Sequence, residues 1–417
     1  MNNRILSLIV ALVLAISTFA ASVETDRPWY LAGEAMKVSV TADDALIAYA
    51  ELCDKNGLAA GIVMSLDERK GTGTIELPSD LHSGYYVLSA YTRDNANVSH
   101  RLVAIVNPLR KSEDDDIEWV IGDRCWVSDD GTADLVGVKD IDVRETEGHI
   151  IKARVKNVYG DHTFTGSKIC PSISIIGKQI HYFEGKMVND TTAVFYTYGI
   201  HGKQPLVLSA VSSTGVSLPI EMISPFATLL PKKLPHLIFH YKRSEVEARS
   251  MDMQRHQMAI APAKRELQLG DHTDDTAVDG VPLDYNETVY GTKPDLSYNL
   301  DEYRQFLTIR EVLLEYVLYV SNRTINGVPK LIVRKEDAPF DTSRPTMVLI
   351  DGMPVIDIER LLAYDARRIH YINIYSGQYT FGNGVYNGIL SFVTRSGRLT
   401  NYPTEPNMQY LVYEFPE

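Results

Sequence analysis

Two histidines four residues apart, His236 and His240 in HLIFH, have the spacing of a helical zinc motif, in which a bound metal would activate water for hydrolysis. Such motifs place a Glu beside the first His; here the neighbours are apolar and Pro235 precedes the pair, so the segment is expected to be a strand. On a strand the two imidazoles share a face about 13 Å apart, too far for one ion. Asp351, in VLIDGMPV, has the isolation of a turn residue rather than the company of a general base. Gly352 can take the positive φ of a sharp turn, Asp351 can hydrogen-bond within that turn, and Pro354 interrupts the strand. The acidic run in KSEDDDIEW (Lys111 to Trp119) lacks the alternating Asp-x-Asp-x-Asp-Gly plan of a calcium loop and is expected to be a solvated linker.

Other chemistries are missing their parts. There is no Gly-x-Ser-x-Gly nucleophile elbow and no GxxxxGK[ST] phosphate loop. The glycine-rich GNGVYNG (Gly382 to Gly388) leads into a strand, so no helix N-terminus follows to hold a phosphate. Cys53, Cys125 and Cys170 form neither a local metal clip nor a disulfide framework, and buried thiols are expected. Hence no catalytic residue, cofactor or metal site is expected. The best candidates for binding a protein partner are aromatic: Tyr371, Tyr375, Tyr379, Phe381 and Tyr386, clustered around one loop. Tyr and Phe are favoured interface anchors, and equally normal in strands.

These residues need elements to hold them. Residues 21–108 contain short strands broken by turns every 8 to 12 positions, the rhythm of a β-sandwich: KVSVTA, LIAYAEL, TIEL and YYVLSAYT. A second β-rich stretch, 109–243, holds HIIKARVKNV, SISIIG, TAVFYTY and PLVLSAVS. Residues 244–295 change character: SEVEARSMDMQRHQMAIA is a possible helix, and the polar, turn-rich remainder is expected to be a linker. Residues 296–402 mix both types. Thr308 and Glu311 form a capping box ahead of Ile309, Val312, Leu313, Tyr316 and Val317 on one helical face. Asn326-Gly327 is a hairpin signal between YVSNRTI and LIVRK. MVLI, a short helix IERLLAYD, a strand RIHYINIY, the loop SGQYTFGNGVYNG and the strand ILSFVT follow, and 403–417 is expected to be a tail.

The first twenty residues combine Arg4, an apolar run and small residues around Ala20, the pattern of a secretory signal, so the protein is expected to be exported. The run is shorter than the roughly 20 apolar residues of a spanning helix, and no later segment is apolar enough, so no transmembrane helix is expected in the mature chain. A formal charge of -13 argues against a sequence-independent grip on nucleic acid and against anionic membrane surfaces.

Three sets of residues carry a resemblance. Tyr30-Leu31-Ala32-Gly33-Glu34, Ala50-Glu51-Leu52 and LPSDLHSGYYVLSAYT are similar to the macroglobulin-type β-sandwich of bacterial envelope proteins. VLIDGMPV, RRIHYINIYSG and FGNGVYNGILSFVTRSG resemble the plug domain of TonB-dependent outer-membrane receptors, in the form seen in Bacteroidetes envelope proteins. The resemblance implies two immunoglobulin- or macroglobulin-like sandwiches followed by a small α+β plug-like domain: a multidomain, mainly β protein. About 20 residues follow Gly397, too few for a receptor barrel of roughly ten-residue strands. No cysteine starts the Cys-Gly-Glu-Gln thioester that protease trapping requires. The resemblance therefore implies a non-catalytic periplasmic or outer-membrane-associated protein whose plug-like domain binds an envelope partner such as an outer-membrane barrel. The alternative is a periplasmic or surface ligand-binding protein for glycan or peptide capture, using loops at the sandwich ends.

Overall fold

A computed structural model of the chain describes residues 21–43, 45–93, 95–128, 133–135, 145, 148–156, 169–176, 181–212, 216–267, 292–325, 327–334, 343–381, 384–399 and 401–417. The expected signal and the polar part of the 244–295 linker lie outside these residues. The protein is multidomain and mainly β. It divides into two compact units: one of residues 1–147, 226–262 and 415–417, the other of 148–225 and 263–414.

In the first unit, a three-stranded sheet in the order Ser22–Thr25, Ala35–Thr41, Lys70–Glu76 faces a five-stranded one. The latter runs Trp29–Leu31, Asn95–Val106, Gly84–Thr92, Ile47–Cys53, Leu58–Ser65. Alternation in Ala35–Thr41 sends Met36, Val38 and Val40 into the core, where they meet Ala48, Ala50, Leu52, Tyr86 and Leu88. Gly84–Thr92 is buried along its whole length, as its near-continuous apolar run requires. Gly33 stands at φ +88° in the turn before Ala35–Thr41, and Glu34 closes that turn by accepting from the Leu31 N–H at 2.8 Å.

Residues 109–243 are not one sandwich. Strand Ile117–Ile121 runs parallel to Leu237–Tyr241, which also pairs with Trp126–Val127, and all three belong to the first unit. The cause is packing. Leu237 and Phe239 join Trp29, Leu31 and Tyr85 in a cluster to which the described residues of 148–225 contribute nothing. Nor is the acidic run a plain linker, because its last three residues, Ile117 to Trp119, begin this strand. Helix Arg243–Glu266 follows, covering the expected SEVEARSMDMQRHQMAIA. Its buried Val246, Ser250 and Met253 recur at helical spacing. Arg249 makes a forked pair with Glu34 (3.0 and 2.5 Å) and lies over the Trp29 ring, 3.7 Å from its centroid.

In the second unit, the sheet Lys186–Met187, Thr192–Thr197, His149–Val155, Ile220–Ile223 opposes the sheet His181–Glu184, Ile169–Ile175, Gly202–Ser212, Gln409–Phe415. The expected tail 403–417 is thus corrected: its apolar alternation supplies a sandwich strand, fixed also by Tyr413 at 2.6 Å from His149 Nε2. The α+β domain has a five-stranded sheet in the order Leu296–Asn299, Ile369–Phe381, Gly384–Thr394, Met347–Ile350, Met353–Pro354. Helices Ile309–Glu315 and Ile358–Ala363 cover one face. Both halves of the Thr308–Glu311 capping box form, with the Glu311 N–H donating to Thr308 Oγ1 at 3.3 Å and the Thr308 N–H to Glu311 Oε2 at 3.1 Å. Strands Val320–Ile325 and Val328–Val333 pair as the hairpin, with Gly327 at φ +78°. The expected loop SGQYTFGNGVYNG is instead mostly strand, because its Tyr, Phe and Thr residues pair across a second hairpin.

The Glu34–Arg249 fork holds the helix to the first sandwich. Arg249→Ala is expected to destabilise the first unit by about 2–4 kcal/mol, since it leaves a nearly buried carboxylate short of its main partner. Urea unfolding of Arg249→Ala, Glu34→Gln and the double variant checks this; strictly additive losses would mean that the pair carries no coupling energy.

Candidate functional site

The five aromatic residues around the second hairpin are not a single exposed surface. From Ile369 to Tyr375, strand Ile369–Phe381 is buried on both faces. Ile372 and Ile374 enter the core under the helices, while Tyr375 points the other way and packs among Met347, Leu349 and Ile389. Tyr375 is 0 % exposed, so its expected role as an interface anchor is corrected to core packing. Tyr379 and Tyr386 oppose each other across the hairpin and lie against the same cluster, as does Tyr182 of the second sandwich. Burial, then Glu184, pushes the Tyr386 hydroxyl well above its ordinary range. Tyr371 is half-buried against the His370 ring, centroids 4.0 Å apart. The side chain of Phe381 lies outside the described residues.

Asp351 is architectural. It stands at φ +46° and Gly352 at φ +86°, turning Met347–Ile350 back into Met353–Pro354. Its carboxylate does not serve its own turn. It accepts from the Thr394 N–H and Leu399 N–H, both at 2.7 Å, and from Thr394 Oγ1 at 2.6 Å. Burial raises its pKa, against the pull of these donors.

The histidines separate as strand geometry requires. His236 Nδ1 lies 2.5 Å from Asp116 Oδ1, while His240 stacks on Trp126 with centroids 3.8 Å apart. Among the described residues no three His, Cys, Asp or Glu side chains are grouped to hold a metal. The cysteines are free thiols; Cys53 is buried, and burial followed by Glu51 pushes its pKa up to about 12, while Cys125 and Cys170 are partly exposed. A Cys53 thiol held so far up stays protonated and is a poor nucleophile.

The first unit carries a more open feature. A cleft of about 990 Å³ lies between helix Arg243–Glu266, the loop at 107–116 and strand Ile117–Ile121. Ile117, Trp119, Tyr241 and Val246 give it an apolar floor, and Lys111, Arg243 and Glu247 stand among its polar lining. Trp119 meets both Phe239 and Tyr241 edge-on, at 5.5 and 5.3 Å, and the residue remains 38 % exposed. The walls are held before anything binds. Asn107 donates to the Ser79 and Leu81 carbonyls and accepts from the Leu109 and Arg110 N–H groups. Asp115 accepts from the Ser83 and Ser112 N–H groups at 2.7 and 2.9 Å. A large, largely apolar cleft with fixed walls is suited to binding. The signal that could have found it is IEWVI, whose Ile117, Trp119 and Ile121 alternate, hidden beside four consecutive acidic residues.

No family model matches the chain, and no curated protein matches it. Among solved structures, the BSP domain of a biofilm-associated protein is 12% identical over 54% of this chain and 30% of that one, with a TM-score of 0.19. Trypsin-activated α2-macroglobulin from Escherichia coli is 13% identical over 50% of this chain and 16% of that one, with a TM-score of 0.19. The Escherichia coli adhesin FdeC is 11% identical over 52% and 64%, with a TM-score of 0.18. The chain thus spans less than a third of the length of the first two. At scores this low the likenesses add nothing to what the strands themselves establish.

Folding raises the Asp351 pKa above the ordinary 3.8, so ionising it costs stability. That cost is fully present above the folded value and disappears as pH falls to the unfolded value. Asp351→Asn turns an amide donor toward donors and is expected to destabilise the α+β domain by about 1–3 kcal/mol at neutral pH. Because only the wild type gains stability on acidification through this site, the gap should widen toward pH 4. Thermal unfolding of both proteins across that range is the check; a gap that narrows would overturn the sign.

Proposed function

We propose that the chain is a non-catalytic, exported envelope protein that binds another protein, and that its C-terminal α+β domain is a plug-like module. The observation that carries the binding reading is the cleft beside Trp119: pre-formed, apolar-floored and polar-rimmed. Aromatic residues in such settings are the usual anchors of protein interfaces. The N-terminal signal pattern and the resemblance of VLIDGMPV and RRIHYINIYSG to receptor plugs support the envelope setting. Among the described residues no helix is long and apolar enough to cross a membrane. With Tyr375 buried and Tyr379 and Tyr386 packed against its cluster, partner contact is assigned to the cleft ahead of the second hairpin.

The size of the cleft also favours a second reading, capture of a glycan or a short peptide, since about 300–1,000 Å³ is the ordinary range of ligand sites. The two readings separate by experiment. A photo-crosslinking residue in place of Met251, which is exposed at the cleft, is expected to trap an envelope protein in cells, and one in place of Tyr379 is expected to trap much less. Mass spectrometry of the purified envelope identifies the adduct. No protein adduct at either position would overturn the protein-binding reading. A rise in Tm with glycans or short peptides would then move the second reading to first place.

A further inference from the structure

Strand Ile117–Ile121 is an edge. Its sheet runs Trp126–Val127, Leu237–Tyr241, Ile117–Ile121, and no described strand pairs on its outer side. The bonds at its two ends fix which groups face outward. The Leu237 N–H donates to the Asp116 carbonyl and the Gly122 N–H to the Tyr241 carbonyl. Alternation along a parallel ladder then turns the Glu118 and Val120 N–H groups inward, and the N–H groups of Ile117, Trp119 and Ile121 outward.

The same strand presents an apolar face whose cover runs out. Ile117 packs with Trp29, Leu237 and Phe239; two residues on, Trp119 is partly exposed, and Ile121 is 82 % exposed. Edge strands usually carry Lys, Pro or a bulge against unwanted pairing, whereas IEWVI carries only Glu118. The run Glu113 to Glu118 beside the edge is acidic, while Lys111 and Arg243 stand on the cleft side. In the run Glu113 to Glu118, Asp115 is taken by the Ser83 and Ser112 N–H groups and Asp116 by His236. Asp114 has Lys55 at 3.9 Å. Glu113 and Glu118 are exposed and have no ion pair among the described residues.

We propose that the outer edge of Ile117–Ile121 and the cleft beside it receive an extended segment of the partner protein as an added β-strand, with apolar side chains at alternate positions and Lys or Arg at the end lying by Glu113 and Glu118. This rests on the protein-binding reading above and names its partner's chemistry. The backbone of the segment meets the outward N–H and C=O groups. Its alternate side chains extend the apolar face over Trp119 into the cleft. Its basic end meets carboxylates that have no ion pair among the described residues. A second copy of this chain fits less well, since it brings a further -13 of charge and the same carboxylates to the contact.

The test is selection of a phage-displayed random peptide library on the immobilised full chain, followed by affinity measurement with the synthetic winners. Enriched peptides are expected to alternate apolar residues and to carry Lys or Arg at one end. Ile121→Pro removes an outward N–H at an exposed edge position and should weaken them by about tenfold or more. Glu118→Lys keeps the strand and should weaken basic-ended peptides while improving acidic-ended ones, a swap that misfolding cannot produce. Circular dichroism confirms that both variants fold. Winners that bind Ile121→Pro and Glu118→Lys unchanged, or no enrichment at all, would overturn the proposal. So would a dimer in sedimentation that Ile121→Pro abolishes. Crosslinks from the Met251 position to an envelope protein, with unchanged peptide binding, would sink strand addition and leave the protein-binding reading standing.

Discussion

The first unit depends on one buried carboxylate. After its first sandwich the chain builds residues 148–225 elsewhere and must return. It does so at Thr228 and Leu229, whose N–H groups donate to Glu51 at 3.0 and 2.5 Å. Tyr91 completes the shell at 3.0 Å and also accepts from the Ala227 N–H at 2.7 Å. Glu51 is 0 % exposed, and Thr228 takes a φ of +57° to reach it. A carboxylate so placed would be prohibitive without donors; two amides and a hydroxyl make it tolerable and specify one docking position for the returning chain. Everything downstream follows from that re-entry: strand Leu237–Tyr241, its pairing with Ile117–Ile121, helix Arg243–Glu266, and so the cleft.

A second carboxylate works differently. Glu145 accepts from Tyr49 at 2.8 and 2.7 Å and from Arg93 at 3.0 Å, so its charge has a cation, and Arg93 also lies over the Tyr49 ring. Glu51 is satisfied by the backbone and specifies where the chain passes. Glu145 is satisfied by side chains and tightens a contact already made. The difference tells backbone placement from side-chain packing, and Asp351, with two amides and a hydroxyl, belongs with Glu51.

Local signals in the sequence translated directly into structure. The Thr308–Glu311 box, the Gly327 hairpin, the helix over SEVEARSMDMQRHQMAIA and the Asp351-Gly352 turn each involve residues within a few positions of one another, where propensity and capping act. What stayed hidden was long-range. Nothing in IEWVI says that its partner is LIFHY, more than a hundred residues on, and so the 109–243 span joins the strands of this sheet to residues 148–225, which belong to the other unit. Tyr375 illustrates the same limit, since a strand buried on one face or on two looks alike until the second sandwich is in place. The cleft was missed for a compositional reason, because four acidic residues in a row outweigh three alternating apolar ones in any short window.

How the chain treats its other sheet edges gives Ile117–Ile121 its meaning. Trp29–Leu31 and Met353–Pro354 are too short to template a partner, and the latter ends in Pro. Lys70–Glu76 is charged at both ends. Leu58–Ser65 is covered: Phe226 lies over Gly61, where a Cβ would come within 2.6 Å of the ring, and the Ser65 N–H donates to the Glu417 carbonyl at 3.1 Å. Each of these four edges is shortened, charged or capped, by means that cost little. Ile117–Ile121 has none of the usual steric devices and instead runs into an apolar cleft whose walls are fixed by Asn107, Asp115 and the Arg249 fork. Rigid walls around an unguarded edge would be a liability in a protein with no use for them. They are what a receptor for an extended segment requires, because the ordering entropy then falls on the incoming strand alone.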